Sequence, residues 1–171
     1  MLGIARILCP TDLSSESDEA LRYAVALTCA YKAKLFLLYC KESGSNGDES
    51  VPDREITSLL RESLALHLGL ADFCDLNWEG LIAKNISDVG KAIVQEAAKH
   101  KIDLIVMRSR RRPHAAVLLG STAETVSRTA PCPVLVTHPG EREWVGLSTG
   151  EIDLHRVLVA HDFSGDSGLA L

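Results

Sequence analysis

The strongest constraint on this chain is its rhythm: short apolar runs alternate with longer segments whose apolar residues recur at helical spacing. The runs are Ile4 to Cys9, stopped by Pro10; Leu35 to Tyr39; a weaker, partly alternating stretch from Leu76 to Ala83; Ile102 to Met107; and Pro133 to Thr137. Leu35-Phe36-Leu37-Leu38-Tyr39 has no polar alternation, as expected of a strand covered on both faces. Four helices are predicted between the runs. The first starts at a Ser14 or Ser15 cap and reaches about Tyr31, with Ala20, Ala24, Leu27 and Ala30 inward and Asp18, Glu19 and Arg22 outward. The second spans about Asp53 to Leu68, with Ile56, Leu59, Leu60 and Leu64 on one side. The third, capped by Ser87 or Asp88, runs through Lys99 and carries Val89, Ile93, Val94 and Ala97. The fourth covers about Ser121 to Arg128. This β-α-β-α-β-α-β-α-β order predicts an α/β fold: right-handed crossovers and a mostly parallel sheet with helices on both faces.

In such sheets ligands bind beyond the carboxyl ends of the strands, where the winding direction reverses. The loop after the first strand, Pro10-Thr11-Asp12-Leu13, and the loop after the fourth, from Arg108 onward, are expected to meet there. A strand, a cationic loop (Arg108, Arg110, Arg111, Arg112) and a helix start at Gly120-Ser121-Thr122 form a candidate anion site. The helix start supplies N–H groups and a partial positive charge. Guanidinium forks can grip phosphate bidentately, or the arginines can simply be solvated or pair with an acidic neighbour. Asp12 reads either as a ligand group or as a cap for the first helix. Ser121 reads either as an anion donor or as an N-cap, with Glu124 completing a capping box.

Other chemistry finds no support. Ser109 has no assignable His or Asp partner, and no Gly-x-Ser-x-Gly turn is present. His114 and His138 are isolated, so no metal site is expected. Asn85-Ile86-Ser87 matches a glycosylation acceptor that a cytosolic chain would not use. With 171 residues, 46% of them hydrophobic, the chain can bury one core with a little left over. A net charge of −5 argues against nucleic-acid partners. The cysteines (Cys9, Cys29, Cys40, Cys74, Cys132) are odd in number and unpatterned, as for reduced thiols. No apolar stretch reaches the roughly 18 residues of a membrane span. The N-terminus lacks the form of a signal peptide, and a cytoplasmic location is expected. Glu42 to Ser50 is polar and glycine-containing and reads as a mobile loop or a disordered segment.

The C-terminal portion repeats the beginning. Arg156 to Leu171 aligns with Arg6 to Leu21 at an offset of 150, with Arg, Leu, Asp, two Ser, Ala and the final Leu identical. The expected organisation is one complete unit over 1–139, a polar linker over 140–153 and the first strand and partial helix of a second unit over 154–171. An apolar strand without its own sheet invites pairing, so 154–163 is an expected oligomer contact, the alternative being a stub that simply dangles.

Ile7-Leu8-Cys9-Pro10-Thr11-Asp12-Leu13-Ser14, Asp103-Leu104-Ile105-Val106-Met107, and Leu118-Leu119-Gly120-Ser121-Thr122-Ala123-Glu124 with Ala130-Pro131-Cys132-Pro133-Val134-Leu135-Val136 together resemble the universal stress protein family. The resemblance implies a Rossmann-like, five-stranded parallel sheet of order 3-2-1-4-5 and a dimer through the last strand, 133–138. It also implies a nucleotide crevice in which Asp12, beside Pro10 and Thr11, holds a ribose and the backbone near Cys40 faces an adenine. Nucleotide-binding members carry Gly-x-x-Gly, nine residues, then Gly-Ser/Thr. Here Arg108 and Arg111 replace the first two glycines, eight residues separate Arg111 from Gly120, and Pro113 removes a donor. Only Gly120-Ser121 survives. The expected function is therefore non-catalytic stress-response binding and regulation with a degenerate crevice and no resident cofactor. The alternative is an ATP-binding, slowly hydrolysing member in which arginines replace the loop glycines.

Overall fold

A computed structural model of the chain describes residues 3–42, 51–68, 76–109, 120–138, 144–146 and 151–158. Its elements are β1 (Arg6–Thr11), α1 (Ser15–Tyr31), β2 (Lys34–Glu42), α2 (Asp53–Leu68), β3 (Trp78–Ile86), α3 (Val89–Lys99), β4 (Leu104–Arg108), α4 (Ser121–Thr129) and β5 (Val134–Thr137). The sheet has the order β3-β2-β1-β4-β5 and every pairing is parallel. The class, topology and strand order agree with the sequence reading.

The continuous apolar strands follow from burial on both faces. Ile7, Cys9, Leu35, Leu37 and Val106 pack with α1 and α2 on one side. The intervening Leu8, Phe36, Leu38, Ile105 and Met107 pack with α3 and α4 on the other. Asp103 closes the amino end of the sheet, its Oδ2 accepting the N–H groups of Ala5 (2.9 Å) and Arg6 (2.8 Å).

Several local expectations are corrected. β1 does not stop at Pro10 but runs to Thr11. Alternate residues of a strand address opposite neighbours: Ala5 O accepts from Lys34 in β2, whereas Arg6 O accepts from Asp103 beside β4. Pro10 is in step with Arg6 and so faces the β4 side, where the ladder has already ended at Leu8↔Ile105. The missing N–H therefore costs the sheet nothing. Arg22 is buried rather than outward, its guanidinium carbon 5.3 Å from the Tyr23 ring centre. Ala30 is exposed, because the buried stripe of α1 is set by Ala20, Leu21, Ala24, Val25 and Thr28. β3 begins two residues and ends three residues later than the Leu76–Ala83 stretch. It is an edge strand and only half covered, so its pattern is weak.

The expected linker is anchored. Trp144 stacks on Tyr23 at 4.7 Å between ring centres, and Val145 is buried in the core on the α1 side. Gly146 N–H donates to Glu151 O (2.9 Å), Asp153 N–H donates to Trp144 O (2.7 Å), and Val145 bridges Ile152 in antiparallel fashion. Beyond this strap, 153–158 form no strand, and Val157 and Leu158 are 71% and 95% exposed. The repeat aligns these two residues with Ile7 and Leu8, but no neighbouring strand accompanies them among the described residues. The expected 43–50 loop and residues 159–171 of the repeat lie outside the described residues.

Candidate functional site

The site arises where β1 and β4 part. They pair only at Ile7↔Leu104 and Leu8↔Ile105. Beyond that point β1 stays with β2 as far as Thr11↔Tyr39, while Met107 and Arg108 go with Val136 and Thr137 of β5. The divergence opens a crevice of about 330 Å³ at the carboxyl edge. Pro10, Thr11, Asp12, Cys40, Arg108, Gly120, Ser121 and Thr122 all line it. Arg111, with the rest of 110–119, lies outside the described residues.

Hydrogen bonds hold the β1–α1 corner. Leu13 sits at φ 60°, and its N–H donates to Thr11 Oγ1 at 3.0 Å. Ser17 Oγ donates to Ser14 O (2.8 Å), which uses its single proton. The 2.9 Å contact between the Thr11 and Ser17 hydroxyls is therefore donated by Thr11. Asp12 Oδ1 accepts from Ser14 N–H (3.1 Å) and from Ser14 Oγ (2.5 Å). Ser14 is the N-cap of α1, and its side chain accepts from Ser17 N–H (3.3 Å). Of the two readings of Asp12, the capping one is corrected, since Asp12 braces the Ser14 cap rather than being it, and the residue lines the crevice where a ligand group would stand.

At the opposite wall the N-cap of α4 is Gly120, not Ser121, and no side chain caps it. The capping box does not form; Glu124 N–H bonds to Gly120 O (2.9 Å) and its carboxylate pairs with Arg128. The N–H groups of Ser121, Thr122 and Ala123 precede that first intrahelical bond and belong to the positive end of the helix. The sequence reading weighed Ser109 only as a nucleophile. Ser109 is fully buried, and its Oγ accepts the Gly120 N–H at 3.2 Å, tethering the start of α4 to β4. The sequence reading did not place Ser14, Glu16, Ser17 or the apolar wall of Leu38, Val89, Ile93 and Met107 at the crevice. The β-α order could have flagged Val89, since α3 starts at the same edge.

Arg108 does not lie loose in solvent. One terminal nitrogen donates to Glu16 O (2.9 Å) and pairs with Glu19 Oε2 (2.5 Å), and the side chain is 10% exposed. Its Nε–H is buried and meets no acceptor among the described residues. The acidic-neighbour reading of the arginines thus holds for one edge of this guanidinium. No cluster of three or more metal-ligating side chains exists among the described residues. No helix among them is long and apolar enough to cross a membrane.

A doubly wound sheet with a part polar, part apolar crevice at its switch point and an uncapped helix start on one wall defines a Rossmann-like α/β domain. Its relatives identify the kind. The universal stress protein family model matches residues 3–138, and the chain belongs to that family. A universal stress protein of Methanocaldococcus jannaschii is 32% identical over 143 residues, covering 81% of this chain and 84% of its own. The solved structure of a universal stress protein in complex with cAMP superposes with a TM-score of 0.63 at 24% identity, covering 80% of this chain and 98% of that one. The universal stress protein from Archaeoglobus fulgidus in complex with dAMP gives 0.53 at 18% identity, covering 80% and 98%.

Proposed function

We propose that the chain is a non-catalytic, ligand-binding member of the family whose crevice takes an adenine nucleotide with a single phosphate. One observation carries the reading: both polar walls, Thr11-Asp12 and Gly120-Ser121-Thr122, face one crevice of about 330 Å³, and no side chain caps the start of α4. That volume sits at the small end of ligand pockets, roughly 300–1,000 Å³. The phosphate sits on the N–H groups at the start of α4, Asp12 takes a ribose hydroxyl, and the base lies against Leu38, Cys40, Val89 and Ile93. The cAMP and dAMP found in two relatives support the same ligand class. Among the described residues, Asp12 and Glu16 are the acids that line the crevice, and the reading assigns this site binding and the regulation that follows from it rather than turnover.

Calorimetric titration with AMP, cAMP and ATP, with and without Mg²⁺, tests this. Monophosphates are expected to bind independently of Mg²⁺, with no phosphate released from ATP on long incubation. Absence of heat with all three at millimolar concentration sinks the reading. ATP hydrolysis above background replaces it with a catalytic one.

A further inference from the structure

The exposed apolar side chains of this molecule are distributed unevenly. Among the described residues, every large hydrophobic group left to solvent lies on α1, on α2 or on the tail at the strap's end, and none on α3, α4 or the strands. On the helices these are Tyr31 at the end of α1, and Leu59 and Leu66 on α2, seven positions apart and so on one face. Ser63 Oγ of α2 donates to Asp18 Oδ1 of α1 (2.8 Å), which sets the two helices side by side in one layer. On the tail they are Ile152, Leu154, Val157 and Leu158. The strap starts that tail from the α1 side, and the backbone of 153–158 enters no helix or strand. Yet within a single chain neither apolar feature covers the other: Leu66 stays 74% exposed and Leu158 95%.

We propose that the chain forms a two-fold dimer in which the 152–158 tail of each copy lies on the outer α1/α2 face of the other, against Leu59 and Leu66. Three observations favour a second copy over an unrelated partner. The uncovered segment and the uncovered face belong to one chain and to one side of its sheet, so a single two-fold axis covers both at once. A one-sided partner would leave one of them open. The seven side chains expose on the order of 700 Å² together, close to the roughly 800 Å² that each partner contributes to a standard interface. Both surfaces also carry both signs of charge, Asp153 and Arg156 on the tail and Arg61 and Glu62 on α2, so no like-charge barrier opposes docking. No residue that lines the crevice takes part, and the proposal is independent of the nucleotide reading.

Sedimentation velocity of the full chain over a wide concentration range, with thermal melts alongside, tests this on wild type, Leu158→Asp, Leu66→Asp and an equal mixture of the two variants. Wild type is expected to shift from monomer to dimer mass as concentration rises. Both substitutions fall at exposed positions, so each variant should keep the melting temperature of the monomer. Each alone is expected to weaken dimerisation about tenfold or more, the scale of one leucine side chain no longer buried. The mixture should associate more tightly than either variant alone. A Leu158→Asp copy still offers an intact helical face and a Leu66→Asp copy an intact tail, so one of the two contacts forms. Should Leu66→Asp unfold, Leu66→Ser carries the test. Wild type that stays monomeric throughout overturns the proposal. A dimer that both substitutions leave intact also overturns it, and places the contact elsewhere, such as the edge of β5. Loss with Leu158→Asp but not with Leu66→Asp, or loss with both and no recovery on mixing, rules out the pairing of tail with helical face.

Discussion

Single residues in this molecule are defined by where the sheet places them. Cys9 illustrates the point: burial, with a smaller push from the charge of Asp18, drives its thiol pKa up to about 12. The thiolate is the reactive form, so Cys9 should resist iodoacetamide at pH 8 in the native protein and react once unfolded. Peptide mass mapping checks this, and native labelling of Cys9 at the rate of an exposed thiol would refute it. Ser109 makes a second case. Ser109→Ala removes the acceptor for Gly120 N–H and should lower stability by about 1 kcal/mol in urea unfolding, the net worth of one hydrogen bond. At this scale Asp12, Gly120 and Ser121 were legible in the sequence because their positions follow from strand and helix order. The tether from Ser109 and the orientation of Arg108 were not, since both depend on residues 11 or more positions away meeting in space.

Elements were more legible than residues, because burial on both faces writes itself as unbroken apolar runs. The number, direction and approximate extent of the strands could be read from such runs, and their order in the sheet from the family resemblance. What misled was local chemistry whose consequence depends on a neighbour, as with Pro10, harmless where the ladder has ended, and Ser121, displaced from its cap by Gly120. The α3–α4 packing was also invisible. A Cβ on Gly90 would lie 2.8 Å from Thr125 Cβ, an atom close to the backbone that cannot swing away. Gly90→Ala should therefore cost about 1–3 kcal/mol through overpacking, read by chemical denaturation. A neutral effect would mean the two helices can shift apart.

Carboxylates at element ends confer an acid sensitivity with a definite sign. The hydrogen bond from Lys84 holds Asp53 below its ordinary pKa at the start of α2, and Lys34 does the same to Glu79 on β3. Asp88, the N-cap of α3, is lowered chiefly by the Lys91 N–H. A group whose folded pKa is depressed stabilises fully above its unfolded value, near pH 4, and loses that contribution as pH falls through the folded value. The melting temperature should thus be insensitive to these three groups near neutrality and decline below about pH 4. Asp88→Asn keeps a capping side chain while removing the titration, and should shrink the acid decline seen in melts followed by circular dichroism. An unchanged acid slope in that variant would show that Asp88 contributes nothing to it.

Considered whole, the molecule is more than its sheet and four helices, because the strap of Trp144, Val145 and Ile152 is packed on the α1 side. Composition hid this: two large apolar residues among polar and glycine neighbours read as a linker. Ending the chain after Glu141 removes Val145 as well as the exposed tail, and should cost roughly 1.5–3 kcal/mol, the worth of burying one such side chain. Ending it after Asp153 leaves the strap and removes only the repeat. That second truncation is expected to preserve the melting temperature while changing the oligomeric mass in light scattering. An unchanged mass would show that the repeat makes no contact between copies.

The strap also sets a tether. Because Trp144 is pinned to Tyr23, the chain departs from the α1 side rather than from the end of β5. The repeat starts at Arg156, three residues beyond the last strap hydrogen bond at Asp153. Three extended residues reach at most about 11 Å. Any unit built on that repeat would start within that radius, at an effective concentration in the millimolar range. Contact between the two units would then be governed by leash length and exit point, and a surface too weak to join free partners would suffice.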